Sequence, residues 1–107
     1  MEMLQQLGVG FSDPGVATVE EARRVHEQDY IDSVRRLSEE PFVEFYDSGF
    51  GNPDNPPFPG MFEAALAYSS GAVAAAYDVA NGAQIAMTLS GGLHHARAAK
   101  ASGFCIF

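Results

Sequence analysis

Between Asp47 and Gly60 the chain carries four of its six prolines and three glycines. Proline lacks a backbone donor and glycine disfavours extended order, so no regular ladder can run through this stretch. A loop of such length in a compact chain is commonly tied to function rather than to mere connection. It splits the 107 residues into two parts that must be read separately.

Before the loop the pattern is helical. Met1 to Leu7 reads as the last turns of a helix stopped by Gly8 and Gly10, and Asp13-Pro14-Gly15 is a turn signal. Thr18 with Glu21 three residues on has the spacing of a capping box, which satisfies two otherwise unpaired backbone donors. Ala22, Val25 and His26 would share a face of the helix that Thr18 opens. A second helix is expected from Asp29 to Leu37, with Tyr30, Ile31, Val34 and Leu37 at helical spacing. Arg23, Arg24, Arg35 and Arg36 would be a solvated face. Phe42 to Tyr46 alternates apolar and polar residues, as a short strand or extended segment does.

After the loop, Met61 to Ala80 has a 3.6-residue period through Phe62, Ala65, Leu66, Ser69, Val73 and Ala76, and Asn81-Gly82 ends it. Gly71 inside such a helix costs about 1 kcal/mol against alanine, which a close packing contact would explain. Glu63, Asp78 and two tyrosines in this stretch make it a poor membrane span. Gln84 to Leu89 reads as a buried strand that runs into Ser90-Gly91-Gly92. The order helix, loop, strand, glycine turn resembles one unit of an α/β sheet, where chemistry sits beyond the carboxyl ends of strands.

The balance of 6 Lys+Arg against 14 Asp+Glu gives a formal charge of −8. Binding to a nucleic-acid backbone needs clustered cations, so no nucleic-acid partner is expected. A lone cysteine, Cys105, excludes an internal disulfide and fits a reducing compartment, and no signal peptide is evident. The expectation is a cytoplasmic protein with no membrane partner.

Chemistry concentrates at Gly91-Gly92-Leu93-His94-His95-Ala96. Glycines let the backbone turn tightly and leave room for a ligand. Two imidazoles in one pocket titrate as a coupled pair, so one can stay neutral as a base while the other carries a proton. That division suits a hydrolysis in which water must lose a proton and a leaving amine must gain one. On the dipeptide alone, an exposed or structurally bonded pair is the commoner outcome, because a motif counts only with its geometry.

The wider context carries a resemblance. Ser90-Gly91-Gly92-Leu93-His94-His95-Ala96 followed by Ala101-Ser102-Gly103-Phe104-Cys105 resembles the signature of the histone deacetylase family, the acetoin-utilisation branch above all. Ala17-Thr18-Val19-Glu20-Glu21, Val25-His26 and Tyr30-Ile31 are similar to the family's early helices. Asp54-Asn55-Pro56-Pro57-Phe58-Pro59-Gly60-Met61-Phe62-Glu63 looks like its substrate-rim loop and the helix after it.

The resemblance implies an α/β fold, part of the arginase/deacetylase-like three-layer architecture with a mainly parallel sheet, helix-rich over residues 1–107. It implies hydrolysis of an acetylated lysine or amine with zinc as cofactor. His94 and His95 would be the proton-transfer pair, Gly103 and Phe104 the wall of the acyl-lysine tunnel, and Asp54 the rim acid that holds the substrate. A loop-stabilising Asx turn is the alternative for Asp54. Packing as a small hydrophobe is the reading for Cys105, and packing or hydrogen bonding for His26.

In that family two aspartates and a histidine downstream of the Gly-Phe-Cys segment hold the zinc. The resemblance therefore implies a partial deacetylase domain over residues 1–107, lacking the first strand and everything after Gly-Phe-Cys, with no metal ligand of its own. Catalytic zinc needs about three protein ligands, so the isolated chain is expected to be inactive. An unpaired strand would leave an exposed sheet edge and favour self-association. Two further readings stand beside the enzyme: a non-catalytic truncated structural module, and a small metal-binding protein that uses His94 and His95.

Overall fold

A computed structural model describes residues 2–91 and 93–107. Met1 and Gly92, which belong to the expected first helix and to the glycine pair, lie outside the described residues. Among the described residues four helices follow in order, α1 (Glu2–Gln6), α2 (Val19–Ala22), α3 (Gln28–Glu39) and α4 (Met61–Ala80), and none follows α4.

Local chemistry accounts for the helix starts. Thr18 Oγ1 accepts from the Glu21 N–H at 3.1 Å and Glu21 Oε1 accepts from the Thr18 N–H at 3.0 Å, so the capping box of α2 is complete. The start of α4 is solved differently. Its N-cap is Gly60, which has no side chain to offer, and the missing acceptor comes from α3. The buried Ser38 hydroxyl accepts from the Phe62 N–H at 3.1 Å. One hydroxyl thus satisfies an orphan donor of the next helix and joins the two elements.

That junction sets the core. Tyr30, Ile31, Val34 and Leu37 on α3 meet Met61, Phe62, Ala65 and Leu66 on the first half of α4, with Ala17, Phe50, Ala101 and Ile106 around them. Arg35 lays its guanidinium 4.7 Å from the Phe62 ring centre and covers the edge of the core. The ion pairs Arg23–Glu20 and Arg36–Asp47 lie at the solvated surface. Val25, expected to share a face with Ala22 and His26, is exposed while His26 is buried. The helix ends at Ala22, and the following turn rotates Val25 outward and His26 inward.

The residues after the loop depart from the expected sheet. Among the described residues there is no strand, only isolated antiparallel bridges at Arg97↔Lys100 and Ser102↔Cys105. Gln84 to Leu89 is neither a strand nor buried. It runs back along α4, with Thr88 seated against Gly71 where a β-carbon would collide. Its alternation survives: Ala86 and Thr88 are half-buried, while Ile85, Met87 and Leu89 point out, Ile85 at 86% exposure. A strand exists only through a partner ladder, and no described segment supplies one. The mainly parallel sheet and its exposed edge are therefore not formed by these residues. Phe42 to Tyr46 likewise bends, because the Tyr46 hydroxyl donates to Pro41 O at 3.0 Å and curls the segment onto itself.

The chain's last residues are pinned by two tyrosines. The Tyr30 hydroxyl donates to Ile106 O at 2.6 Å, and the Tyr68 hydroxyl accepts from the N–H groups of Ile106 and Phe107, each at 3.2 Å. Burial pushes both phenols above their ordinary value of 10.0, with nearby Tyr68 and Cys105 adding to the effect at Tyr30. The folded state then holds these protons more tightly than the unfolded chain does. Stability is complete below pH 10.0 and falls as pH rises past it. Urea melts across this range should show the loss, with a shallower slope for Tyr30→Phe. In the same assay at neutral pH, Leu37→Ala should cost about 2–5 kcal/mol, as expected for a large side chain removed from a closed core.

Candidate functional site

The tandem histidines sit on an exposed turn after the return along α4. Their rings lie together, with centroids 4.1 Å apart and planes inclined by 40°. Two contacts from elsewhere hold the turn. On one side His26, buried at the junction of α2 and α3, donates from Nδ1 to Arg97 O at 3.0 Å, and the Glu27 N–H donates to Ala98 O at 2.8 Å. A carbonyl can only accept, so the proton of a neutral His26 resides on Nδ1. Its ring packs between those of Tyr30 and Phe107, at 5.4 and 5.2 Å.

On the other side stands the segment Ser102–Cys105. Ser102 and Cys105 exchange backbone hydrogen bonds at 3.2 and 2.9 Å, which makes Gly103-Phe104 the two-residue tip of a tight turn. Both tip residues have positive φ, 53° for Gly103 and 65° for Phe104. Tight two-residue hairpin turns demand this pair of conformations. Glycine serves at 103 for a second reason: a β-carbon there would stand 3.0 Å from Cγ of His95, so its absence lets the imidazole lie on the turn. Phe104 is the exception to the usual chemistry. An aromatic residue in the left-handed region is uncommon and strained.

Of the residues singled out from the sequence, the structure joins His94, His95 and Gly103 directly. The Phe104 ring projects outward at 71% exposure. It is absent from the lining of a mostly apolar cavity of about 400 Å³ that His94 shares with His26, Leu66, Val73, Leu93 and Phe107. Asp54 is exposed on the proline-rich loop. The Asx turn there is made by Asn52, whose Oδ1 accepts from the Asp54 N–H at 3.0 Å, so the Asp54 carboxylate is not what closes the loop. Cys105 is buried, as a small hydrophobe would be.

Sequence reasoning passed over three positions that the structure makes prominent. Tyr30 read as a position on its helix's apolar face and Tyr68 only as one of two tyrosines that spoil a membrane span, yet their hydroxyls fix the backbone after the turn. Asn55 read as part of a motif, yet its buried amide accepts from the Phe104 N–H at 2.9 Å. Burial of a polar side chain inside a proline-rich loop has no signature in composition or period.

Among the described residues, no group of three His, Cys, Asp or Glu side chains converges in a way that could hold a metal ion. No described helix is long and apolar enough to cross a membrane.

Comparison with known proteins gives a consistent result. The histone deacetylase domain pattern matches residues 1–107. The chain is 41% identical over 97 residues to the acetoin utilization protein AcuC of Bacillus subtilis, covering 88% of the chain and 25% of that protein. It is 38% identical over 93 residues to histone deacetylase B of Dictyostelium discoideum, covering 83% and 22%. Among solved structures, an HDAC homolog complexed with SAHA superposes with a TM-score of 0.75 at 28% identity, over 86% of this chain and 25% of that one. The chain thus spans about a quarter of the length of these relatives.

The His26 anchor makes a direct test available. His26→Phe keeps a ring between Tyr30 and Phe107 but removes the 3.0 Å bond to Arg97 O, leaving it only the longer one from the Lys100 N–H at 3.4 Å. A loss of about 1–3 kcal/mol is expected in urea melts, with faster amide exchange in residues 93–101 and little change in α4.

Proposed function

The chain belongs to the histone deacetylase family, and from that premise we propose that it carries the proton-transfer pair and part of the substrate channel of a zinc-dependent deacetylase. The reaction is hydrolysis of an acetyl-amide, either acetyl-lysine or an acetylated amine. The observation that supports this most is the pairing of His94 and His95 at 4.1 Å, with His95 seated on the turn that presents Phe104.

In amide hydrolysis a water oxygen forms a bond to the acyl carbon, the C–N bond breaks, and acetate and free amine leave. One imidazole of the pair takes the water proton, and a protonated imidazole gives a proton to the leaving nitrogen. The two roles are assigned to the pair as a whole, since the rings lie together. Phe104 packs on the methylenes of the substrate stem, Gly103 leaves them room, and Asp54 meets the substrate's backbone or amine at the rim.

The donor set of this chain does not make a zinc centre, since two adjacent histidines are all it brings to the turn and no third ligand joins them among the described residues. The zinc of the proposed enzyme is therefore assigned to residues outside residues 1–107. The 107-residue chain alone should release no acetate from an acetyl-lysine peptide, with or without added zinc. A complete deacetylase polypeptide containing it should do so with zinc, and His95→Ala should lower kcat by about 10²–10⁴-fold, the usual worth of a positioned acid–base group. Acetate release by the isolated chain, or an active His94→Ala/His95→Ala double variant of the complete enzyme, would overturn the proposal.

A second reading rests on the outward row Ile85, Met87 and Leu89. An apolar row of this kind seeks cover, which supports a self-associating structural role for the isolated chain. Size-exclusion chromatography should then show concentration-dependent oligomers that Met87→Lys disperses. A compact monomer at all concentrations would exclude it.

A further inference from the structure

Phe104 holds a backbone conformation that an aromatic residue does not choose: the two-residue turn imposes it, and the strain has to be offset from outside the Ser102–Cys105 turn. A brace lies 49 residues upstream. Asn55, almost fully buried, points its side-chain oxygen at the Phe104 N–H at 2.9 Å and its side-chain nitrogen at Gly49 O at 3.2 Å. The amide can be oriented only this way, because the flipped form would set donor against donor and acceptor against acceptor.

The loop around it is braced as a unit. Asn52 Oδ1 accepts from the N–H groups of both Asp54 and Asn55, and Asn52 Nδ2 donates to Gly49 O at 2.8 Å. Gly51 N–H donates to Asn55 O at 3.1 Å, and Ala101 N–H donates to Ser48 O at 2.8 Å. The proline-rich loop and the turn after the histidines are thus joined at two points, Ser48–Ala101 and Asn55–Phe104. The second lies beside Asp54 in sequence and at Phe104 itself.

We infer that Asn55 is a positioning residue: its buried amide holds Phe104 in the left-handed conformation and ties the Asp54 turn to the Gly103–Phe104 wall, so that rim and wall are fixed as one body around the substrate stem. The substrate part of this inference rests on the deacetylase reading, whereas the conformational part does not. Asn55 need not touch substrate. Its effect passes through the placement of two residues that do, and it should fall on binding rather than on the chemical step.

Two measurements decide it. In the full 107-residue chain, amide hydrogen exchange by NMR should show Phe104 protected. Asn55→Ala should speed exchange at Phe104 by about tenfold, the equilibrium worth of one hydrogen bond, while the amides of α3 keep their rates. Asn55→Asp keeps the acceptor for the Phe104 N–H but loses the donor to Gly49 O, and should restore part of the Phe104 protection. In the complete enzyme, Asn55→Ala should raise KM for an acetyl-lysine peptide by about tenfold with kcat nearly unchanged, and Asn55→Asp should recover part of the loss.

Unchanged exchange at Phe104 would overturn the inference. So would equal acceleration across α3 and Phe104, which marks a merely structural residue, or a fall in kcat at constant KM. A wild-type enzyme that releases no acetate would instead sink the deacetylase reading, and the exchange data would still decide whether Asn55 sets Phe104.

Discussion

The described residues of 81–107 form only two isolated bridges among themselves, so many of their backbone groups must find partners elsewhere. Several of those partners are side chains on the helices and the loop. Tyr30 and Tyr68 satisfy the backbone at Ile106 and Phe107, His26 satisfies Arg97 O, and Asn55 satisfies the Phe104 N–H. None of these donors and acceptors is left without a partner, and no buried side-chain nitrogen or oxygen among the described residues is unsatisfied. The position of the histidine turn is therefore a consequence of helix packing. If α3 and α4 moved apart, Tyr30 and Tyr68 would no longer meet the same carbonyl and amides, and the turn would lose its support.

The same logic explains how much of the molecule could be read from residues. α4 was legible to its ends, because an apolar 3.6-residue period is bounded by Gly60 and Asn81-Gly82. The capping box and the buried face of α3 were legible for equally local reasons. Gly71 announced a close contact and meets Thr88. What failed was whatever needs a partner distant in sequence. Gln84 to Leu89 has the composition of a strand, but pairing is a property of two segments. The cap of α4 comes from Ser38, more than twenty residues away, and no capping pattern at Gly60 could have shown it. Val25 was misplaced because a helix four residues long ends before its period can be trusted.

At the site, the division is similar. The adjacency of His94 and His95 is written in the sequence, yet their inclination toward one another and the seat of His95 on Gly103 follow from the turn geometry. The family resemblance named Asp54 and Phe104 as neighbours of one substrate. The structure adds the link between their segments, a single amide at Asn55 whose role neither charge nor hydropathy reveals.

The charge distribution sharpens this point. With a formal charge of −8, long-range electrostatics would be the obvious means of holding the parts together or of driving them apart. The two described ion pairs, however, are exposed and bind helix surface or loop, where such pairs contribute at most about 1 kcal/mol and are screened by salt. The contacts that place the histidine turn and the Phe104 turn are neutral hydrogen bonds from buried side chains. Neutral, short-range bonds in a low-dielectric interior are little affected by ionic strength and act only over the correct geometry. His26 donates its Nδ1 proton to Arg97 O, so the histidine turn is supported from behind by a buried side chain.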